Sequence, residues 1–172
     1  FYLVTLVDST TYRVVEITGA PNSPTVLGSD TLGSQQGTWS VGTIFLSGAP
    51  QSGTNVTIDT VAPRIMNAVY RSGHIYCTLT CDGDSDGDSD VFWAKIATTS
   101  GVTNGGTNLA DSGFIKGSTS GAWTFMPSIN INSRGEILIC YTQSSSSQFP
   151  DMRYVFRNPS DASGFFQGPV VA

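Results

Sequence analysis

Two stretches of this chain repeat one another, and that repeat restricts the fold more than any other feature. Ala62-Pro63-Arg64-Ile65 leads to a turn at Arg71-Ser72-Gly73, then to the run His74–Thr80, a polar loop, and Val91–Ile96. Met126-Pro127-Ser128-Ile129 leads in the same order to Ser133-Arg134-Gly135, Glu136–Thr142, a polar loop, and Met152–Phe156. Pro63 and Pro127 stand 64 positions apart, and Gly73 and Gly135 stand 62 apart. A third, shortened copy is visible in Phe1–Val7, a brief turn, and Tyr12–Ile17. A unit of about 60 residues with about four short strands must stack on its neighbours to bury its apolar faces, as propeller blades do.

The remaining pattern agrees with an all-β chain. No segment keeps a helical period; short apolar-rich runs alternate with Gly, Ser, Asn, Asp and Pro clusters. Expected strands are Phe1–Val7, Tyr12–Ile17, Ser40–Leu46, Thr54–Ile58, Arg64–Tyr70, His74–Thr80, Val91–Ala97, Trp123–Met126, Ser128–Ile131, Glu136–Thr142, Met152–Phe156 and Phe165–Val170. They predict a fragment of a β-propeller made of four-stranded antiparallel blades. In that division residues 1–46 are an incomplete blade and its connection, 54–114 a blade, and 122–172 a second, incomplete blade. About two and a half blades are present and a closed ring needs at least four. The chain therefore reads as a processed or partial piece of a longer protein, with the rest of the same propeller or identical chains as partners. A two-sheet sandwich is the competing arrangement.

Chemistry concentrates in Asp82-Gly-Asp84-Ser-Asp86-Gly87-Asp88-Ser-Asp90, which runs directly into Val91-Phe92-Trp93. Ca²⁺ takes six to eight hard oxygen ligands. Short carboxylates at alternate positions converge on one point if the backbone curls, and Gly87 permits the sharp turn. The expected metal ligands are the side chains of Asp82, Asp84, Asp86 and Asp90, holding Ca²⁺ in a hairpin loop. The helix-loop-helix calcium site is excluded, because its twelfth position calls for Glu and here is Trp93. The opposing reading is a solvated acidic loop tip with Gly and Ser spacers.

Charge narrows the partners. The net charge is −5, and the Asp run supplies five of the negative residues, so no basic face awaits nucleic acid or anionic lipid. No stretch approaches a membrane span, so no membrane insertion is expected. Charged residues make up only 12% of the chain, with Ser, Thr, Gly and Asn supplying the polarity, a balance common in secreted and surface proteins. Cys77, Cys81 and Cys140 are odd in number and cannot all pair within the chain. Buried free thiols are one reading and a Cys81–Cys140 bridge the other. His74, the single histidine, has no partner at zinc spacing and reads as a surface residue. Trp39, Trp93 and Trp123 pack between blades or line a sugar platform.

Ala62–Tyr76, Val91–Ile96 and Ala122–Gly135 resemble the strand-turn segments of secreted bacterial β-propellers of the sialidase-like superfamily. The likeness spans roughly the whole chain and is clearest over 54–157. It implies a propeller fold, a secreted, extracellular location and blades outside this chain. The aspartate-box pattern Ser-x-Asp-x-Gly-x-Thr-Trp of true sialidases is missing, and no catalytic residue is carried over. The Asp82–Asp90 loop resembles the hairpin loops of integrin-type propellers, Asp-x-Asp-x-Asp-Gly-x-x-Asp before an apolar strand. In such loops the position held here by Asp88 ligates through its carbonyl. The expected function is a non-catalytic extracellular propeller for adhesion, surface assembly or glycan binding, stabilised by calcium. The alternative is a fragment of a glycan-active enzyme, a sialidase-like glycosidase or lyase. Acidic residues outside the Asp run form no evident catalytic pair.

Overall fold

The computed structural model describes residues 2–27, 35–44, 46–61, 63–98 and 108–172. Among these residues every regular element is a strand, and no helix is long and apolar enough to cross a membrane. Twelve strands form three four-stranded antiparallel sheets. The first contains β1 (Tyr2–Leu6), β2 (Thr11–Ala20), β3 (Ser23–Leu27) and β4 (Gln35–Thr38). Here β1 takes one edge of β2, while β3 and β4 share the other, β3 along Glu16–Ala20 and β4 along Thr11–Val14. The second sheet is the meander β5 (Ile65–Arg71), β6 (His74–Cys81), β7 (Asp90–Ala97), β8 (Leu109–Ile115). The third is the meander β9 (Trp123–Ile131), β10 (Ile137–Ser145), β11 (Gln148–Arg157), β12 (Gln167–Val171).

Side-chain alternation stacks the sheets in chain order. Successive strand residues point to opposite faces. On β6, Ile75, Cys77, Leu79 and Cys81 face the first sheet and join Tyr12, Val14, Trp39 and Val41 in one core. The opposite face, with Tyr76 of β6 and Val91 and Trp93 of β7, meets Ile129, Ile131, Ile137, Ile139, Tyr141 and Val155 of the third sheet. The middle sheet is thus covered on both sides, which is why β6 reads as a nearly unbroken apolar and threonine run rather than an alternating one.

Polar bonds fix the second sheet against the third. The Asn67 carboxamide oxygen accepts from the Ile129 N–H at 2.9 Å, and the Thr80 hydroxyl from the Met126 N–H at 3.2 Å. The Thr124 hydroxyl accepts from the Val91 N–H at 3.0 Å and donates to the Ile115 carbonyl at 2.8 Å. These groups are satisfied across the seam and dictate one register of sheet on sheet.

The third sheet's outward face is open. Residues that sit across from one another there include Leu138 on β10 with Asn130 and Phe156, and Thr142 with Met152. Leu138 is 42% exposed and Met152 60%. By the repeat, Leu138 stands where Tyr76 stands on the second sheet, and Tyr76 is 6% exposed because the third sheet covers it.

Several expected elements differ. Ser40–Leu46 and Thr54–Ile58 are not ladder strands; each makes a single isolated bridge, Thr43 to Asp82 and Ile58 to Ala49. Phe1 and Phe45 lie outside the described residues. Trp123–Met126 and Ser128–Ile131 are one strand, β9. Pro127 is tolerated there because β9 is an edge strand and bulges at this point, with the register shifting between Cys140 and Thr142. The strands β3, β4 and β8 were not foreseen. All three cysteines are free: Cys77 and Cys81 lie buried toward the first core, while Cys140 lies on the open face of the third sheet. Burial pushes the Cys77 thiol up to about 12, so it is an inert apolar side chain.

Candidate metal centre

The acidic loop joins β6 to β7 and is held from both ends. The antiparallel pairing of these strands closes with Cys81 opposite Asp90, so residues 82–89 must turn back within a short hairpin. Its base is clamped from outside by the segment before β5: Thr43 N–H donates to the Asp82 carbonyl at 2.9 Å, and Asp82 N–H to the Thr43 carbonyl at 2.8 Å. Gly42 makes this approach possible. It has φ +66°, and a Cβ there would stand 2.1 Å from the Asp82 carbonyl oxygen.

Asp82 organises the loop. Its carboxylate is buried, with residue exposure of 3%. One oxygen accepts from the Asp86 N–H at 3.2 Å and the other from the Gly87 N–H at 3.0 Å. These bonds curl the chain so that Asp84 and Asp86 return toward Asp82. Gly87, at φ +97°, provides the turn the sequence assigned to it. One carboxylate oxygen from each of Asp82, Asp84 and Asp86 lies within 4.8 Å of the others, a separation that a single metal ion can span.

The other two aspartates take different positions. Asp90, 6% exposed, turns one oxygen to the Gly83 N–H at 3.1 Å and so ties the two ends of the hairpin together. The Asp88 N–H donates to the Asp86 carboxylate at 3.2 Å. The three-way cluster comprises Asp82, Asp84 and Asp86, with Asp88 and Asp90 beside it rather than in it.

Carboxylates this close repel, and two features of the loop answer that repulsion. The first is a raised proton affinity at Asp88 and Asp90. A hydrogen bond to Asp86, then burial, raises the Asp88 carboxyl to about 6, while the same bond holds Asp86 below the usual carboxylate range. Burial raises Asp90 to about 6 against the pull of Lys116. The second is Lys116, which follows β8 and lies against the loop because β8 pairs with β7, placing Ile115 opposite Val91. Its ammonium forms an ion pair with Asp84 and lies 3.9 Å from Asp90; the bond to Asp84 raises the Lys116 pKa. A cavity of about 260 Å³ lined by Asp86, Asp88, Asp90 and Lys116 opens beside these groups. The donor set fits a hard divalent cation: all oxygen, short side chains, and one buried anchor already oriented by backbone bonds. A cation seated on Asp84 would take over the charge that Lys116 now neutralises. Lys116 escaped the sequence reading because it lies 26 residues beyond Asp90; only the hairpin register of β7 and β8 brings it back.

Among the other residues considered, Trp39 and Trp93 are buried between sheets and Trp123 is half-buried. Their packing matches an inter-sheet role for the first two. His74 Nδ1 lies 3.0 Å from the Ser72 carbonyl within its own turn.

The fold and site together define a stack of four-stranded antiparallel sheets bearing an acidic, metal-type hairpin loop. No family model matches the chain, and no curated protein or solved structure does either.

Proposed function

We propose that this chain is part of an extracellular, sialidase-like β-propeller with a non-catalytic role in adhesion, surface assembly or glycan binding, and that calcium stabilises it. The observation that carries the reading is the unequal treatment of equivalent faces. The second sheet's face around Tyr76 is covered by the third sheet, while the third sheet's matching face around Leu138, Met152 and Phe156 is exposed. A repeated meander with one such face left open is favourable when another sheet of the same kind covers it. That cover is the rest of the same propeller or an identical chain.

Calcium identity rests on ligand chemistry. Carboxylate oxygens without imidazole or thiolate favour Ca²⁺ or Mg²⁺ over softer metals. Ca²⁺ tolerates the irregular geometry of a hairpin loop better than Mg²⁺, which demands near-ideal octahedra. The side chains of Asp82, Asp84 and Asp86 would be the first ligands, with Asp90 and the Asp88 carbonyl completing the shell after a small adjustment. The ion's role is to neutralise a loop whose carboxylates otherwise have Lys116 as their cationic partner. Extracellular calcium commonly reaches concentrations that fill even weak sites of this type.

The test is retention of the immobilised protein on a glycan array and on cell surfaces, with calcium and with a chelator. Calcium-dependent retention without release of free sugar is the expected result. Turnover of a glycan substrate would replace this reading with the glycosidase or lyase alternative. Equal retention with and without calcium would remove the ion from it.

A further inference from the structure

Away from the acidic loop, three of the chain's eight cationic side chains converge on one small cavity at the seam of the second and third sheets. The cavity, about 190 Å³, lies at the turn end of the sheets, with Tyr76, Lys95 and Asp111 on one side and Arg134 and Arg157 on the other. Arg157 is 9% exposed. Its guanidinium lies 5.3 Å from the centre of the Trp93 ring and forms an ion pair with Asp111. Both Asp111 oxygens are occupied, one by Arg157 and the other by the Ser163 hydroxyl and the Gly164 N–H. Arg134, at the rim, is paired with Glu136 at 2.9 Å. Lys95 stands opposite Asp111 across β7 and β8 but forms no ion pair among the described residues; its ammonium lies 5.9 Å from the centre of the Tyr76 ring. Lys95 therefore leaves the cavity with a cationic excess in a chain whose net charge is −5.

The repeat places different side chains at the equivalent position of the next sheet. Lys95 stands opposite Tyr76 across β6 and β7, as Phe156 stands opposite Leu138 across β10 and β11. The matching hollow on the third sheet is lined by Leu138, Phe156 and Ile137, with Asn130, Asn132 and Glu136. One position in the repeat thus holds an aliphatic–aromatic pair and the other an aromatic–lysine pair backed by a buried arginine.

We propose that the cavity at Lys95, Arg134 and Arg157 binds a small oxyanion or the carboxylate of an acidic ligand. Lys95 supplies the unpaired charge, Arg134 closes the rim, and Arg157, fixed by Asp111 and Trp93, contributes its field from behind. The site shares no lining residue with the acidic loop. The experiment is calorimetric and NMR titration of the full chain with inorganic sulfate in one arm and glucuronate in the other, at constant ionic strength. Saturable binding, with shifts centred on Tyr76 and Lys95, is expected in at least one arm. Preference for glucuronate assigns a carboxylate ligand and preference for sulfate an inorganic or sulfated one. Lys95→Gln should weaken binding about tenfold or more and Lys95→Arg should restore most of it, while Arg64→Gln, an equal charge change just before β5, should leave it unaltered. Arg134→Gln, at an exposed position that does not threaten folding, should weaken it by a smaller factor. No saturable binding of either anion, or equal losses in the Lys95→Gln and Arg64→Gln variants, would overturn the proposal and leave Lys95 as a cover for the Tyr76 ring.

Discussion

Asp82 and Asp86 lie in one cluster but do different work. Asp82 is buried and accepts two backbone N–H bonds that shape the loop whether or not an ion is present. Asp82→Ala should therefore destabilise the chain by about 1–3 kcal/mol in denaturant melts, with calcium or without it. Asp86→Ala, at an exposed position, should mainly remove the extra stability that calcium confers. Equal effects of the two substitutions under both conditions would contradict this division. Lys116 gives the complementary prediction. Its ammonium occupies Asp84 and approaches Asp90, so it competes with any cation for the same oxygens. Lys116→Met should tighten calcium binding by about threefold to tenfold in a calorimetric titration, a modest gain because the pair is half-exposed and screened. Weaker calcium binding in this variant would place the ion elsewhere.

At the scale of elements, the seam between the second and third sheets is held by more than apolar contact. Asp111 on β8 meets Arg157 on β11 across it, with both side chains 11% exposed. Burial alone would raise the Asp111 carboxyl, but bonds from Ser163 and Arg157 outweigh it and hold the group below its ordinary value. A carboxylate depressed in the folded state adds stability above its unfolded pKa and loses it as the pH falls through the folded one. The chain should lose stability on acidification below about pH 4, and Asp111→Asn should be less stable at neutral pH with a shallower acid loss. Urea melts across that range measure it; parallel acid losses in both proteins would exclude the pair as a contributor. The strands that form this seam were legible in the sequence because β6, β7 and β10 carry dense apolar runs between turn residues. The segment Leu109–Ile115, with Asp, Ser and Gly in its middle, has no such signal, and β8 was missed for that reason. Ser40–Leu46 failed in the opposite direction. Val41 and Ile44 are apolar because they fill the first core, but they do so from a segment that makes one bridge rather than a ladder. Local pattern reports burial, and burial does not require strand pairing. The acidic loop was legible as a metal-type spacing. Its Lys116 neighbour and the different posture of Asp90 depend on hairpin register and on the Thr43 clamp, which no local pattern encodes.

For the whole molecule, the repeat at Pro63 and Pro127 marks two consecutive four-stranded meanders that bury equivalent faces in the same direction: Ile75, Cys77 and Leu79 toward the first sheet, Ile137, Ile139 and Tyr141 toward the second. That one-way stacking leaves Leu138, Met152 and Phe156 of the third sheet exposed. The described strands form three sheets in series rather than two sheets closed face to face. The most direct measurement is an electron cryomicroscopy map of the protein in its native assembly. The account predicts sheets arranged radially in a closed ring, with a further four-stranded sheet laid over Leu138, Met152 and Phe156 as the third sheet is laid over Tyr76 and Trp93. A map in which that face is bare to solvent, or is covered by anything other than a sheet of the same stack, would contradict it.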